Sequence, residues 1–150
     1  MTRPLRLTLA GALALGLLAL GVSCNLARGT PEPDRVVVQH ILVSFGGKVP
    51  GKLIPRQQTE ASELARTLLE RSRGGQDFAS LAQEYSDDKA PARYVIVNRG
   101  RTPVANEYGR DQMIPGFGDV AFELKVDEVG LCPYDGVRSP FGFHVIKRLE

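Results

Sequence analysis

The chain has 150 residues, 43% of them hydrophobic and 24% charged, with two cysteines and no tryptophan. That balance suits one domain with a short appendage and excludes a coiled coil, a collagen-like chain, a disulfide-dense mini-protein and a wholly disordered chain. The formal charge is +2, supplied by Arg3 and Arg6, so the body is neutral, has no basic run and does not suit nucleic acid as a partner.

At the N-terminus the two arginines precede an uncharged run from Leu7 to Val22, 16 residues of mostly Leu, Ala and Gly. This is the pattern of a secretory signal peptide, and it is short for a spanning helix, which needs about 20 residues. It ends Gly21-Val22-Ser23-Cys24. That ending resembles a bacterial lipobox, although Gly21 stands where the pattern usually has Leu. The resemblance implies that residues 1–23 are removed and that Cys24 is lipidated, anchoring the chain to a membrane through more than one acyl chain. Ordinary cleavage nearby, with Cys24 an incidental thiol, and an uncleaved anchor helix are the alternatives. All three export the domain. Residues 24–34 contain two prolines and few apolar groups and read as a tether.

Arg35 to Val43 (RVVVQHILV) is β-branched and apolar, which predicts a buried strand with Val36, Val38, His40 and Leu42 on one face. Ser44 to Gln58 is a long loop rich in Gly and Pro. A helix is predicted from about Thr59, with Thr59 as its N-cap, and Ala61, Leu64, Ala65, Leu68 and Leu69 form its apolar face; Gly74-Gly75 ends it. Asp77 caps a second helix with Phe78, Leu81, Ala82 and Tyr85 inward, and Ser86-Asp87-Asp88 stops it. Tyr94 to Val97 is a short strand, and Asn98 to Gln112 is polar and irregular. Pro115 to Leu124 is a short helix with Phe117, Val120, Ala121 and Leu124 on its apolar side. Pro140 to Leu149 is the last strand. Strands and helices in this order make an α+β layer arrangement.

Two histidines and two scattered cysteines give no zinc-ligand spacing. Cys132 has no partner if Cys24 is lipidated; if not, a Cys24–Cys132 bridge is conceivable in an oxidising compartment. Taken singly, His40 and His144 sit among Val, Ile and Leu, where a hydrogen-bonded core histidine is the ordinary reading. Met113 and Phe117 are four apart, so they face the same way at a helix start, as core or as a pocket.

Three segments together resemble the parvulin-type peptidyl-prolyl isomerases. They are Gln39-His40-Ile41-Leu42-Val43; Asp77-Phe78-Ala79-Ser80-Leu81-Ala82 running into Glu84-Tyr85-Ser86-Asp87-Asp88; and Met113-Ile114-Pro115-Gly116-Phe117, continuing through Ala121-Phe122-Glu123-Leu124 to Phe141-Gly142-Phe143-His144-Val145-Ile146-Lys147. The resemblance covers residues 35–150. It implies a four-stranded antiparallel sheet surrounded by helices, and rotation of the peptide bond before proline in unfolded or partly folded exported proteins, without cofactor or metal. It implies that His40 and His144 are paired under the active site, with a structural and electrostatic role, and that Asp88 occupies the place of a family Cys or Asp. Met113 and Phe117 correspond to the floor and wall of the proline pocket, and Ser139 to a nearby hydroxyl. Phe143 reads as core.

Two departures bear on activity. Ala90 to Arg99 replaces a Gly-Gly-Asp-Leu-Gly-like stretch, and Thr102 to Arg110 is an extra loop expected to border the pocket. They motivate an alternative, a non-catalytic peptide-binding or chaperone module on the same scaffold. Lys48, Lys52 and Arg56 invite comparison with phosphate-reading members, but three cations spread over nine residues read as a solvated loop.

Overall fold

The computed structural model describes residues 31–90 and 92–150. The predicted signal segment, Cys24 and the first part of the tether lie outside the described residues. Strand β1 (Arg35–Val43) is followed by helices α1 (Gln58–Arg73) and α2 (Phe78–Tyr85) and strand β2 (Ala92–Val97). Then come a two-residue strand β3 (Tyr108–Gly109), a single 3-10 turn (Arg110–Gln112), helix α3 (Pro115–Glu123) and strands β4 (Val129–Cys132) and β5 (Phe143–Arg148). The sheet order is β3-β2-β1-β5-β4.

Five strands therefore replace the expected four. β4 is a four-residue strand of Val-Gly-Leu-Cys, too short to show alternation, and it forms because β5 offers an antiparallel edge from Phe143 to Arg148. β3 pairs parallel with Ile96 and Val97, so the sheet is not wholly antiparallel and the stretch 98–112 is not wholly irregular. β5 starts at Phe143 rather than Pro140, because the chain first turns at Ser139–Gly142.

β1 is central and buried on both faces. Ile41 and Val43 pack with Ala61, Leu68, Phe78 and Leu81 of α1 and α2, together with Val145 of β5. Val36 and Val38 pack on the opposite face, with Phe117, Ala121 and Phe122 of α3 and Ile146 of β5. Period-two alternation thus sends odd residues to one helical layer and even residues to the other.

Helix starts follow local chemistry. The N-cap of α1 lies two residues earlier than expected, at Gln57 rather than Thr59, and the Glu60 carboxylate accepts from the Gln57 N–H at 2.6 Å. Asp77 caps α2 as expected, accepting from the Ser80 N–H at 2.7 Å. Pro115 opens α3, where its missing N–H costs nothing and its fixed φ fits the helix. The Gly116 N–H donates to the Arg138 carbonyl at 2.8 Å, and a Cβ at Gly116 would lie 2.9 Å from Cys132 Sγ. Only glycine lets α3 approach β4 this closely.

The end of the expected tether is not free. Asp34 accepts a bidentate pair from Arg101, Nε to Oδ1 at 3.0 Å and Nη2 to Oδ2 at 2.8 Å, and Glu32 accepts from Arg110 Nη1 at 2.7 Å. Asn98 donates to the Pro33 carbonyl at 3.0 Å. Arg110, at the end of the extra loop, reaches back to Glu32, while Asn98 and Arg101 just before the loop hold Pro33 and Asp34. Arg110 is buried, with its guanidinium 4.5 Å above the Phe122 ring and Nη2 donating to Asp119 at 2.9 Å.

Candidate active site

Register places the two histidines together. His40 pairs with Ile146, and Leu42 with His144, so the histidines are diagonal neighbours on the sheet face that meets α3. Each is 4% exposed, their rings stack at 15° with centroids 5.4 Å apart, and the two Nδ1 atoms are 3.2 Å apart. One Nδ1 must donate and the other accept, so the pair cannot hold a proton on both.

Asp88 decides which. Its Oδ2 lies 3.4 Å from His40 Nε2, an electrostatic approach that stops short of hydrogen-bond geometry. A carboxylate there favours a proton on Nε2, so His40 Nδ1 accepts and His144 Nδ1–H donates. His144 Nε2 is then a bare acceptor, and it has no hydrogen-bond partner. Burial pushes the His40 pKa down against the opposing pull of Asp88. Burial and then the neighbouring His40 push His144 down to about 3. Both rings are therefore neutral at pH 7.

Phe117 stands over this pair. Its ring meets His40 at 5.3 Å and 86° and His144 at 5.5 Å and 83°, edge-to-face contacts that lock both imidazoles. Tyr94 of β2 meets His40 at 5.4 Å. Above them opens a cleft of about 210 Å³, lined by His40, Asp88, Tyr94, Gln112, Met113, Ile114, Phe117, Phe141 and His144. Its walls are apolar and aromatic, and its polar groups are the imidazoles, one exposed carboxylate, the Tyr94 hydroxyl and Gln112.

The cleft gathers five of the six expected residues: His40, Asp88, Met113, Phe117 and His144. Met113 is in extended backbone just before α3 rather than in its first turn, so it reaches the cleft from the chain entering the helix. Ser139 is elsewhere. It is fully buried, and its hydroxyl donates to the Gly142 carbonyl at 2.9 Å, so it holds the turn before β5 instead of facing the cleft. Phe143 is core, as expected, packed with Phe45.

Tyr94, Gln112, Ile114 and Phe141 line the cleft without having been singled out. The signal for Tyr94 was available: on a strand paired with β1 it falls opposite Val38, on the His40 face. The extra loop borders this region through Tyr108, whose ring meets that of the cleft-lining Tyr94 at 5.7 Å.

The three loop cations are occupied rather than merely solvated. Lys48 sits 4.9 Å over the Tyr134 ring, Lys52 donates to the Asp87 carbonyl, and Arg56 donates to Asp87 Oδ2 at 2.7 Å. A second concavity, of about 310 Å³, runs along α3 past Cys132, Asp135 and Arg138. It is larger but contains no imidazole and no aromatic wall, and its Asp119 is already paired with Arg110 and Arg138. Cys132 is buried with a raised pKa, chiefly from burial, and has no disulfide partner among the described residues. Among the described residues no group of three or more His, Cys, Asp or Glu is arranged to hold a metal ion. Among the same residues, no helix is long and apolar enough to cross a membrane.

Comparison with known proteins agrees with this geometry. The family model described as the PPIC-type PPIase domain matches residues 24–150. The chain is 38% identical over 120 residues to Chaperone SurA of Chromohalobacter salexigens, covering 77% of this chain and 23% of that one. It is 34% identical over 123 residues to the Parvulin-like PPIase of Rickettsia typhi, covering 78% and 33%. It is 36% identical over 87 residues to Foldase protein PrsA of Halalkalibacterium halodurans, covering 58% and 23%. The chain thus spans about a quarter to a third of the length of these curated relatives. The solution structure of TbPIN1 superposes with a TM-score of 0.57 at 17% identity, covering 78% of this chain and 98% of that one, which shows a shared fold.

Proposed function

We propose a reaction for this chain from one premise: it belongs to the PPIC-type PPIase, or parvulin, family. Its cleft is read as a peptidyl-prolyl cis/trans isomerase site acting on X-Pro bonds in unfolded or partly folded proteins. The observation that carries this reading is the apolar cleft of Met113, Ile114 and Phe117 closed underneath by a neutral imidazole pair.

Rotation about a peptide bond faces a barrier of about 18–20 kcal/mol, and prolyl bonds cross it over tens to hundreds of seconds. No covalent bond breaks, so the reaction needs no nucleophile. The transition state has lost amide resonance, so its carbonyl is less polar than in the planar amide. An apolar cleft that grips the proline ring and removes the bond from water favours that state over the ground state. A 10⁴-fold acceleration needs roughly 5.5 kcal/mol of such preference.

In this reading Met113 and Phe117 hold the ring. Asp88 fixes the tautomers, and the His40–His144 pair gives the floor a set pattern of donors and acceptors without placing a cation there. Exchange spectroscopy on X-Pro peptides tests it: substoichiometric chain should speed cis/trans exchange. Binding without faster exchange would instead favour the peptide-binding module.

Two of the relatives carry the names chaperone and foldase, which supports client proteins that are still folding. The arginine-led apolar run and Gly21-Val22-Ser23-Cys24 support export and lipidation of Cys24, with the chain held at the periplasmic face of a bacterial membrane. Labelling with a radioactive fatty acid, lost in Cys24→Ala, is the expected result; label retained in that variant would remove the anchor from this reading.

A further inference from the structure

Asp88 is the cleft residue with the least secondary structure to hold it, since α2 ends at Tyr85 and β2 starts at Ala92. What holds it is a set of stitches to the end of β1. The Leu42 N–H donates to Ser86 Oγ at 3.1 Å, and the Asp87 N–H donates to the Leu42 carbonyl at 2.8 Å. The Ser44 N–H donates to Asp87 Oδ2 at 2.7 Å. Arg56, from the far end of the loop after β1, donates through Nη1 to that same carboxylate oxygen at 2.7 Å and to the Ser44 carbonyl at 2.8 Å. Lys52 donates to the Asp87 carbonyl.

Ser44 carries the network to the other side of the cleft. It is fully buried, and its hydroxyl donates to the Phe141 carbonyl at 2.6 Å. Phe141 and Asp88 both line the cleft, whereas Ser44, Arg56 and Asp87 do not. The Arg56 and Asp87 side chains are only 25% and 18% exposed, so their ion pair is partly shielded from solvent. Charge-assisted bonds in that setting are shorter and stronger than neutral ones. Both bonds leave from one nitrogen, Nη1, whose two N–H groups lie in the fixed guanidinium plane and so fix direction in a way that a freely rotating ammonium does not.

We propose that Arg56 and Asp87 are positioning residues: through Ser44 they hold the Asp88 carboxylate against His40 and the Phe141 edge against the cleft. Neither needs to touch substrate. The loop 44–57 then matters to the reaction as the strut that delivers Arg56, and its basic character is spent inward. The proposal rests on reading the cleft as a prolyl isomerase site, so its test needs a readout that works without turnover.

The full chain is compared with Arg56→Ala, Arg56→Lys and Asp87→Asn, each checked for folding by circular dichroism. Two quantities are read: kcat and KM for X-Pro exchange, and the ¹⁵N signals of the His40 ring in the unliganded protein. The expected result for Arg56→Ala is a loss of kcat of about tenfold or more from misplacement, with KM little changed and the His40 Nε2 signal displaced. Arg56→Lys should recover part of kcat, since the charge is kept and the planar N–H directions of Nη1 are lost. Asp87→Asn should behave like Arg56→Ala. A folded Arg56→Ala chain with wild-type kcat and an unmoved His40 signal would overturn the proposal. If the wild-type chain does not speed exchange while the His40 signal still moves in Arg56→Ala, the isomerase reading fails and the positioning of Asp88 stands.

Discussion

Met113 and Phe117 both line the cleft, yet replacing them should have different consequences, because only Phe117 is also core. Phe117→Ala should cost about 3–5 kcal/mol, so lost activity there is confounded with unfolding. Met113 is half-buried at the lip, and Met113→Ala should cost about 1 kcal/mol or less while lowering kcat/KM by about tenfold for an interaction worth roughly 1.4 kcal/mol in the transition state. Urea unfolding beside peptide exchange separates the two effects. The histidines give a pH prediction. Burial lowers both pKa values, His144 from 6.5 to about 3. Below pH 6.5 the unfolded chain therefore binds protons that the folded chain refuses, and stability falls as pH drops from about 6.5 toward 3. The lowered carboxylates of Asp119 and Asp77 act in the same direction. A smaller loss of urea midpoint between pH 7 and pH 4 in His144→Leu than in wild type is the expected signature. Equal losses would mean that the His144 imidazole takes up protons alike in the folded and unfolded chains.

The turn from Ser139 to Gly142 is the element that aims Phe141. Gly142 has φ +141, and a Cβ there would lie 2.6 Å from the Val43 carbonyl oxygen. Gly142→Ala should therefore destabilise by about 2 kcal/mol or more, and heteronuclear spectra should show Phe141 and Ser44 displaced together. A melting temperature equal to wild type would mean that the turn can relax around the methyl group. The 98–110 segment makes a different prediction. Arg110→Met removes the guanidinium from Glu32 and leaves Asp119 to Arg138 and Arg99, at a cost of about 1–2 kcal/mol once the partial exposure of both carboxylates is discounted. Arg101→Ala breaks an exposed pair and should cost under about 1 kcal/mol. Hydrogen exchange at the Asn98 amide, which donates to the Asp34 carbonyl at 2.8 Å, should rise in the first variant far more than in the second.

Across the whole molecule, what was legible in the sequence was whatever a strong local pattern writes. β1 was legible because an apolar β-branched run has one good use, and α1 and α2 because their apolar faces repeat at helical spacing. The imidazole pair, Asp88, Met113 and Phe117 were legible only through resemblance, since nothing local distinguishes His40 from a core histidine. β3 and β4 were not legible, because two- and four-residue strands exist by pairing with neighbours that the chain supplies elsewhere. Ser139 was misplaced for a related reason: a serine near a turn can satisfy its hydroxyl on several carbonyls, and here the Gly142 carbonyl wins. The Ser44–Arg56–Asp87 network was hidden by distance, since its members lie 12 to 43 residues apart. Together the two layers put the sheet's even face under α3, which is where the cleft opens. The most direct measurement is two-dimensional NMR exchange on a short X-Pro peptide with the full chain at a few per cent of the peptide concentration, for wild type and Met113→Ala. Faster cis/trans exchange in wild type, with the acceleration reduced about tenfold in Met113→Ala, is the predicted result. Shifts of the Met113 and Tyr94 signals on adding peptide, with exchange no faster than without protein, would contradict catalysis at this cleft.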